Sequence, residues 1–385
     1  MKNFSFDLPT EIEFGFGLYQ ELPQKLEVGK RVLIVSDPGL KKIGLVEKIE
    51  KVVSDNGFEV DVYTEISPNP DEELVSDLTN YIHEKGSQQI IVLGGGSSID
   101  AAKVASCMAV NDGPLEDYQW NNRSFENPSL PLYVFPTTAG TGSEVTGVAV
   151  ITSRNTKKGV VDKYIFPDKA LVDPELMKSL PPYLTAITGM DALTHAIEAY
   201  LGLGANAFTD SLAEQSIKLI ADYLPKAYAN GEDEKARYKM AVASTLAGIA
   251  MDQAGLGIVH SLASPVCANL HLSHGLANSF LLPYGMEFNL IARKEKLSKV
   301  AEFLGVKTSG LSKNDSALLA VRKIKELQRE LELEEEIEEV TDVNPDLDKY
   351  AENAANMFLI NNNPRKASVD DCRKIFTNIF YSDRS

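Results

Sequence analysis

Histidine, cysteine and tryptophan are scarce in this chain, with five, three and one in 385 residues. Cys107, Cys267 and Cys372 are odd in number, scattered, and free of CxxC spacing. That speaks against a disulfide framework and suits a reducing compartment. Basic residues are also short, 38 Lys and Arg against 55 Asp and Glu, and the net charge of -17 opposes binding to nucleic acid or anionic membranes. No stretch reaches about 18 consecutive apolar residues, so no membrane-spanning helix is expected, and the opening MKNFSFDLPTEIEFGFG lacks the apolar centre of a signal peptide. The expectation is a soluble, cytoplasmic protein with neither nucleic acid nor membrane as partner.

What is present is enough apolar material, 44% of residues, to fill large cores, and a length that points to two domains. From residue 31 to about 180, short β-branched runs alternate with helical patterns. RVLIVS (31–36), FEVDVY (58–63), QIIVLGGG (89–96) and LYVFPTT (132–138) read as strands of a parallel sheet separated by crossover helices. Residues 185–262 carry Ala, Leu and Ile at helical spacing instead. The proline pair at 181 and 182 stops any helix running through it, so an α/β domain over 1–180 and a helical domain over 181–385 are expected. The charge-dense segment at 323–340 reads as a solvated helix or loop.

Two loops in the first domain have the composition of a phosphate cradle. In IIVLGGGSSIDAAKVAS a buried strand runs into Gly94, Gly95 and Gly96, and a helical pattern begins near Ile99. Glycines let backbone approach a phosphate, and a helix amino terminus offers unpaired N–H groups. The spacing is neither GxGxxG nor that of a P-loop, so a tight strand-to-helix turn is the competing reading. FPTTAGTGSEVT (135–146) then supplies Thr137, Thr138, Thr141 and Ser143 as small hydroxyl donors, or else is a hydroxyl-rich turn. Loops at the carboxyl ends of parallel strands flank the usual ligand crevice. Asp37, just past the first strand, suits the ribose hydroxyls of NAD and would repel the 2′-phosphate of NADP, unless it only serves its Asp-Pro-Gly turn.

The second domain raises a different question. In MDALTHAIEAY (190–200), Asp191 and His195 lie four apart, on one face of an apolar helix, with Glu198 one turn further. A buried carboxylate without counter-charge is costly, and a divalent cation would supply that charge. His260 and His274 lie in apolar helical contexts further on, and one Asp with three His makes an open Lewis-acid set for Zn²⁺ or Fe²⁺. The alternatives are core histidines bonded to carbonyls and an ordinary i,i+4 helix contact.

Taken in order and spacing, PTEIEFGFGLYQELP, GGGSSIDAAK, FPTTAGTGSEVT, LVDPELMKSLPPYLTAITGMDALTHAIEAY, HGLANSFLLP and NNNPRKASVDDCRKIF resemble the iron-containing (group III) alcohol dehydrogenase family over nearly the whole chain. The resemblance implies a Rossmann-like amino-terminal domain and an all-α carboxyl-terminal domain, the dehydroquinate synthase-like superfamily fold. It implies that Asp191, His195, His260 and His274 are the metal ligands and catalytic centre. Asp37, Asn69, Gly95, Gly96, Ser97, Thr137, Thr138, Thr141 and Ser143, with Lys157 or Lys158, are implied to contact the cofactor. It further implies NAD with Fe²⁺ (Zn²⁺ being the alternative metal), a small alcohol, diol or aldehyde as substrate, metal-assisted hydride transfer, and a homodimer or larger oligomer. Many members carry a further histidine four residues after the third ligand. Here that position is Ser264, which is expected to pass a proton along rather than hold one, and His271 is an alternative or simply a loop residue. The rival readings are a glycerol dehydrogenase-like polyol oxidoreductase, a dehydroquinate synthase-like lyase, and an NAD- and metal-binding redox sensor without turnover. The lyase is disfavoured because residues 191–200 and 255–285 contain no Lys or Arg to meet a phosphorylated sugar acid.

Overall fold

The structure, a computed structural model, describes residues 3–154, 156–270 and 272–381. The chain divides into two compact units, Leu8–Leu180, and Pro181–Ser385 together with Met1–Asp7.

The first unit runs β1 (Glu11–Phe14), α1 (Leu18–Glu21), β2 (Val32–Val35), α2 (Pro38–Lys42), α3 (Leu45–Ser54), β3 (Val60–Tyr63), α4 (Glu72–Lys85), β4 (Gln89–Gly94), α5 (Gly96–Met108), α6 (Leu115–Gln119), β5 (Leu132–Pro136), β6 (Val148–Ser153), β7 (Thr156–Val161) and β8 (Lys169–Val172). Six strands form one sheet in the order β1-β8-β5-β4-β2-β3, every neighbouring pair parallel, and β6 and β7 form a separate antiparallel hairpin. Successive side chains of a strand point to opposite faces, and both faces here are covered by helices. Leu33, Val35, Ile90 and Val92 therefore meet Val75, Leu78 and Ile82 of α4 and Ile99 and Val104 of α5, while Val32, Ile34, Ile91 and Leu93 meet Val46, Ile49 and Val53 of α3. That is why the strands read as unbroken apolar runs. From β2 the chain moves outward to β3 and then returns to β4 on the other side of β2, so the connections diverge between β2 and β4. Open parallel sheets place ligands outside the carboxyl ends of such a pair.

The second unit contains α7 (Pro182–Leu201), α8 (Ala207–Ala229), α9 (Glu234–Ala254), α10 (Ile258–Leu270), α11 (His274–Phe303), α12 (Lys313–Glu330), α13 (Glu334–Thr341), α14 (Leu347–Ala355) and α15 (Val369–Tyr381), with no strand among the described residues. Pro182 opens α7 at a position where its missing N–H costs nothing. α7 packs against α8, α9 and α11 and is buried on nearly every side. Gly255, at φ +74°, ends α9, and α10 leaves at 105° to it. The Asn362 side-chain amide donates to the carbonyls of Ala254 and Leu256 and fastens this turn. No single described helix is long and apolar enough to cross a membrane.

Two expectations need correction here. The helix after the glycine loop starts at Gly96, not near Ile99, with Gly95 as its cap residue. The segment 323–340 is not simply solvated, because Ile324, Leu327, Gln328, Leu331, Leu333 and Val340 are buried, and α12 packs along α11. Its charges fill the outer face of an amphipathic stripe.

Candidate metal centre and dinucleotide loops

The second unit brings Asp191, His195, His260 and His274 together: one ligand atom from each lies within 4.8 Å of all the others. Asp191 and His195 come from adjacent turns of α7, His260 from the first turn of α10, and His274 is the first residue of α11. His195 Nε2 is 3.8 Å and His274 Nε2 4.0 Å from Asp191 Oδ1. The His195 and His260 rings stack at 4.8 Å, and the His274 ring is tilted by 57° to that of His260. Three of the four are buried, while the His274 side chain is 42% exposed, so the cluster opens to solvent on that side.

Burial drives the Asp191 carboxyl upward, but the charges of His195, His274 and His260 and a hydrogen bond from Asn278 outweigh it and leave the group below the ordinary aspartate range. A buried carboxylate of this kind calls for a positive partner at the cluster. Asn278 makes the same point by its hydrogen bonds. Its Nδ2 is 2.7 Å from Asp191 Oδ1 and 3.0 Å from both His260 Nε2 and His274 Nε2, whereas its Oδ1 is buried without a partner. An amide nitrogen has two hydrogens for these three acceptors. A divalent cation could accept all of their lone pairs, so the residues present fit a metal.

Helix packing sets this convergence. A methyl group on Gly275 would lie 2.4 Å from the Ile187 carbonyl oxygen of α7, and one on Gly285 would lie 2.4 Å from Val259 Cγ2 of α10. α11 therefore runs closer to both partners than any side chain at those positions would allow. The first turn of α10 is held by residues distant in sequence. Asn363 Oδ1 accepts from the N–H of Ile258 at 3.3 Å. Glu198 Oε1 accepts from Val259 N–H at 2.7 Å, and Glu198 Oε2 lies 2.6 Å from His260 Nδ1 and 3.4 Å from its N–H. Ser264 sits one turn after His260 and is half-buried, and His271 lies outside the described residues.

In the first unit Asp37 follows β2 and Gly94 ends β4, in adjacent register. Asp37 Oδ1 caps α2, accepting from Gly39 N–H at 2.8 Å and Leu40 N–H at 3.1 Å, as a turn residue would. Its Oδ2 faces the glycine loop, 3.8 Å from where a Gly94 methyl would stand. None of the three glycines has positive φ. They are needed for space: a methyl on Gly95 would meet Thr138 Cγ2 at 3.2 Å, and one on Gly96 would meet Thr141 Cγ2 at 2.7 Å. The two loops interlock side by side, and Thr137 N–H donates to the Gly94 carbonyl at 3.0 Å. Asn69, in left-handed conformation at φ 57°, donates its N–H to Ser97 Oγ at 3.4 Å and accepts from Lys157 Nζ at 2.7 Å. Lys158 points elsewhere, over the Trp120 ring at 4.1 Å. Ser143 is buried and its hydroxyl donates to Asp100 Oδ1 at 2.5 Å, so it braces the loop from within.

Two partners in this bracing were missed from sequence. Lys103 is buried and Asp100 half-buried on α5, and Lys103 Nζ donates to Ser143 Oγ at 3.1 Å, Thr146 Oγ1 at 3.1 Å and the Val148 carbonyl at 2.9 Å. Burial raises the Asp100 carboxyl, against the pull of Lys103, Ser143 and the Val150 N–H. An acid and a lysine three apart in the Ala-rich stretch SIDAAKVAS give the signal, by the same reasoning that singled out Asp191.

A parallel α/β unit with paired glycine and threonine loops, together with an Asp-His₃ cluster in a helical unit, defines a class of metal-dependent dinucleotide oxidoreductase. The chain belongs to the iron-containing alcohol dehydrogenase family, matching it over residues 9–174 and its carboxyl-terminal part over residues 185–380. It is 40% identical over 378 residues to the NAD-dependent methanol dehydrogenase of Bacillus methanolicus, covering 97% of this chain and 99% of that one. A crystal structure of a 1,3-propanediol oxidoreductase superposes with a TM-score of 0.94 at 35% identity over 98% of this chain and all of the other. The sulfoacetaldehyde reductase of Bifidobacterium kashiwanohense, in complex with NAD⁺, superposes at 0.89 with 28% identity over the full length of both.

Proposed function

We propose that this enzyme interconverts small uncharged alcohols or diols and their aldehydes, with NAD as hydride carrier and a divalent metal, iron by family, held by Asp191, His195, His260 and His274. The observation that carries this reading is the approach of those four ligand atoms to within 4.8 Å, with three of the residues buried and the His274 side chain partly exposed. A metal bound there supplies Lewis acidity toward the substrate oxygen. Asp191 holds the charge balance, and the exposed edge at His274 leaves room for substrate. To Ser264, one turn beyond His260, the reading assigns the passing on of a proton, because a neutral serine both donates and accepts.

For the cofactor, the reading assigns the pyrophosphate to Gly95, Gly96 and Ser97 at the start of α5, where N–H groups are unpaired by helix geometry. Thr137, Thr138, Thr141 and Ser143 shape the adjoining loop. Asn69 and Lys157 form one polar unit beside Ser97, and Asp37 faces the loop with a carboxylate that favours NAD over NADP.

The relatives are named for methanol, 1,3-propanediol and sulfoacetaldehyde. The absence of Lys and Arg from residues 191–200 and 255–285 supports an uncharged substrate over a sulfonate, which calls for a cationic partner. We further assign the enzyme to a reducing compartment, in keeping with three buried cysteines, and to a homo-oligomer on family grounds, testable by light scattering. The test of function is a steady-state panel of methanol, ethanol, 1,3-propanediol, glycerol and sulfoacetaldehyde with NAD and NADP, under anaerobic Fe²⁺, under Zn²⁺, and after chelation. Metal-dependent turnover of uncharged substrates with NAD is expected. Chelated protein working as fast as metal-loaded protein, or no turnover at all, defeats the reading.

A further inference from the structure

Glu198 is almost fully buried, and among the described residues its two oxygens meet the N–H groups of Val259 and His260 and the ring of His260. As a carboxylate Glu198 can only accept, which puts the proton of the short 2.6 Å contact on His260 Nδ1. A neutral imidazole carries one ring proton, so Nε2 is left with a lone pair, and Nε2 is the atom that faces Asp191 and His274 through Asn278. Gly257, which precedes α10, has no side chain to cap the helix. A methyl there would come within 3.1 Å of Glu198 Oε1. The carboxylate therefore does two things at once: it ends the helix and fixes the ring.

We propose that Glu198 is the positioning residue that makes His260 a metal ligand, by holding its proton on Nδ1 and so aiming a bare Nε2 into the cluster. The inference rests on the metal reading given above. It separates the two jobs of Glu198, because glutamine has nearly the same shape and the wrong donor pattern. In Glu198→Gln, turning the amide oxygen to Val259 puts NH₂ against Nδ1 and drives the ring proton to Nε2. Turning the oxygen to His260 puts NH₂ against the buried Val259 N–H. The first arrangement turns a protonated Nε2 toward Asn278 Nδ2, and the second sets donor against donor. Loss of a partner that orients a ligating histidine characteristically weakens metal binding by about 10- to 100-fold.

The experiment titrates full-length metal-free protein with Zn²⁺ against a chromogenic chelator, for wild type and Glu198→Gln, and records long-range ¹H–¹⁵N spectra of the imidazole rings in metal-free protein. Expected results are a His260 ring protonated at Nδ1 in wild type and zinc affinity at least tenfold weaker in the variant. Zinc affinity within tenfold of wild type, or a wild-type His260 protonated at Nε2, overturns the proposal. Should the variant not fold, the wild-type spectrum decides alone, since a role confined to helix capping does not set the tautomer. Wild-type protein that takes up no zinc overturns the functional reading, and the ring spectrum still decides the tautomer.

Discussion

Gly275 lies against the main chain of Ile187, so close that a single added methyl would stand 2.4 Å from its carbonyl oxygen and 2.9 Å from its carbonyl carbon. This contact joins the start of α11, and with it His274, to the helix that carries Asp191 and His195. Backbone cannot rotate out of the way as a side chain can, so Gly275→Ala must push the two helices apart. The expected outcome is a loss of about 2 kcal/mol or more in urea unfolding, typical of overpacking, together with weaker Zn²⁺ uptake in a chelator titration. Unchanged uptake would mean that His274 does not depend on this contact.

The loops of the first unit offer a parallel case. Gly96→Ala brings a methyl to 2.7 Å from Thr141 Cγ2, forcing the threonine loop away from the start of α5. NADH binding followed by fluorescence is expected to weaken about tenfold, roughly 1.4 kcal/mol, with zinc uptake by the helical unit unchanged. A variant that binds NADH normally would separate the loop contact from cofactor binding.

Lys103 is fully buried beside the half-buried Asp100, and removing its charge leaves that carboxylate without its cation. Lys103→Met should cost about 3 kcal/mol in unfolding free energy, and the double variant with Asp100→Asn should recover part of it. The pH dependence has a definite sign. Burial raises the Asp100 carboxyl in the folded state, so the folded protein holds that proton more tightly than the unfolded chain does. Its contribution is complete below the unfolded value, near 4, and is lost as pH rises through the folded value. Without Lys103 the folded value rises further, so the variant's deficit should be larger at pH 7.5 than at pH 5. A deficit independent of pH would show that the lysine acts through packing alone.

Metal binding to the folded state alone must appear as stability. At free Zn²⁺ 100 times its dissociation constant, wild type should gain about 2.7 kcal/mol over chelated protein in urea denaturation. Asp191→Asn, which keeps the shape of the side chain and removes its charge, should gain far less. Equal gains in both proteins would place the zinc elsewhere.

How far these features were legible follows from how local their causes are. Val32–Val35, Gln89–Gly94 and Leu132–Pro136 read as strands because both faces of a central parallel strand are buried and nearly every side chain is apolar. The short strands Glu11–Phe14 and Lys169–Val172 carry charges and escaped notice. Glycine is a poor helix former, so α5 seemed to begin later than Gly96. Only the threonines packed against Gly95 and Gly96 reveal why glycine is there. In α12 and α13 the density of charge concealed the apolar stripe beneath it.

For the metal cluster, spacing on one helix was enough to put Asp191 and His195 on a common face, because 3.6 residues per turn is a property of the chain itself. The sequence likewise fixed which side chains had the donor chemistry to hold a cation, since so few histidines were available. Spacing alone held no record that His260 and His274 would meet them, which only the family resemblance implied, nor that Glu198 and Asn363 would cap the turn bearing His260. Those meetings join residues 62 and 105 positions apart and depend on how closely helices approach at Gly275 and Gly285. Such distances are set by the packing of whole surfaces, and no local pattern encodes them.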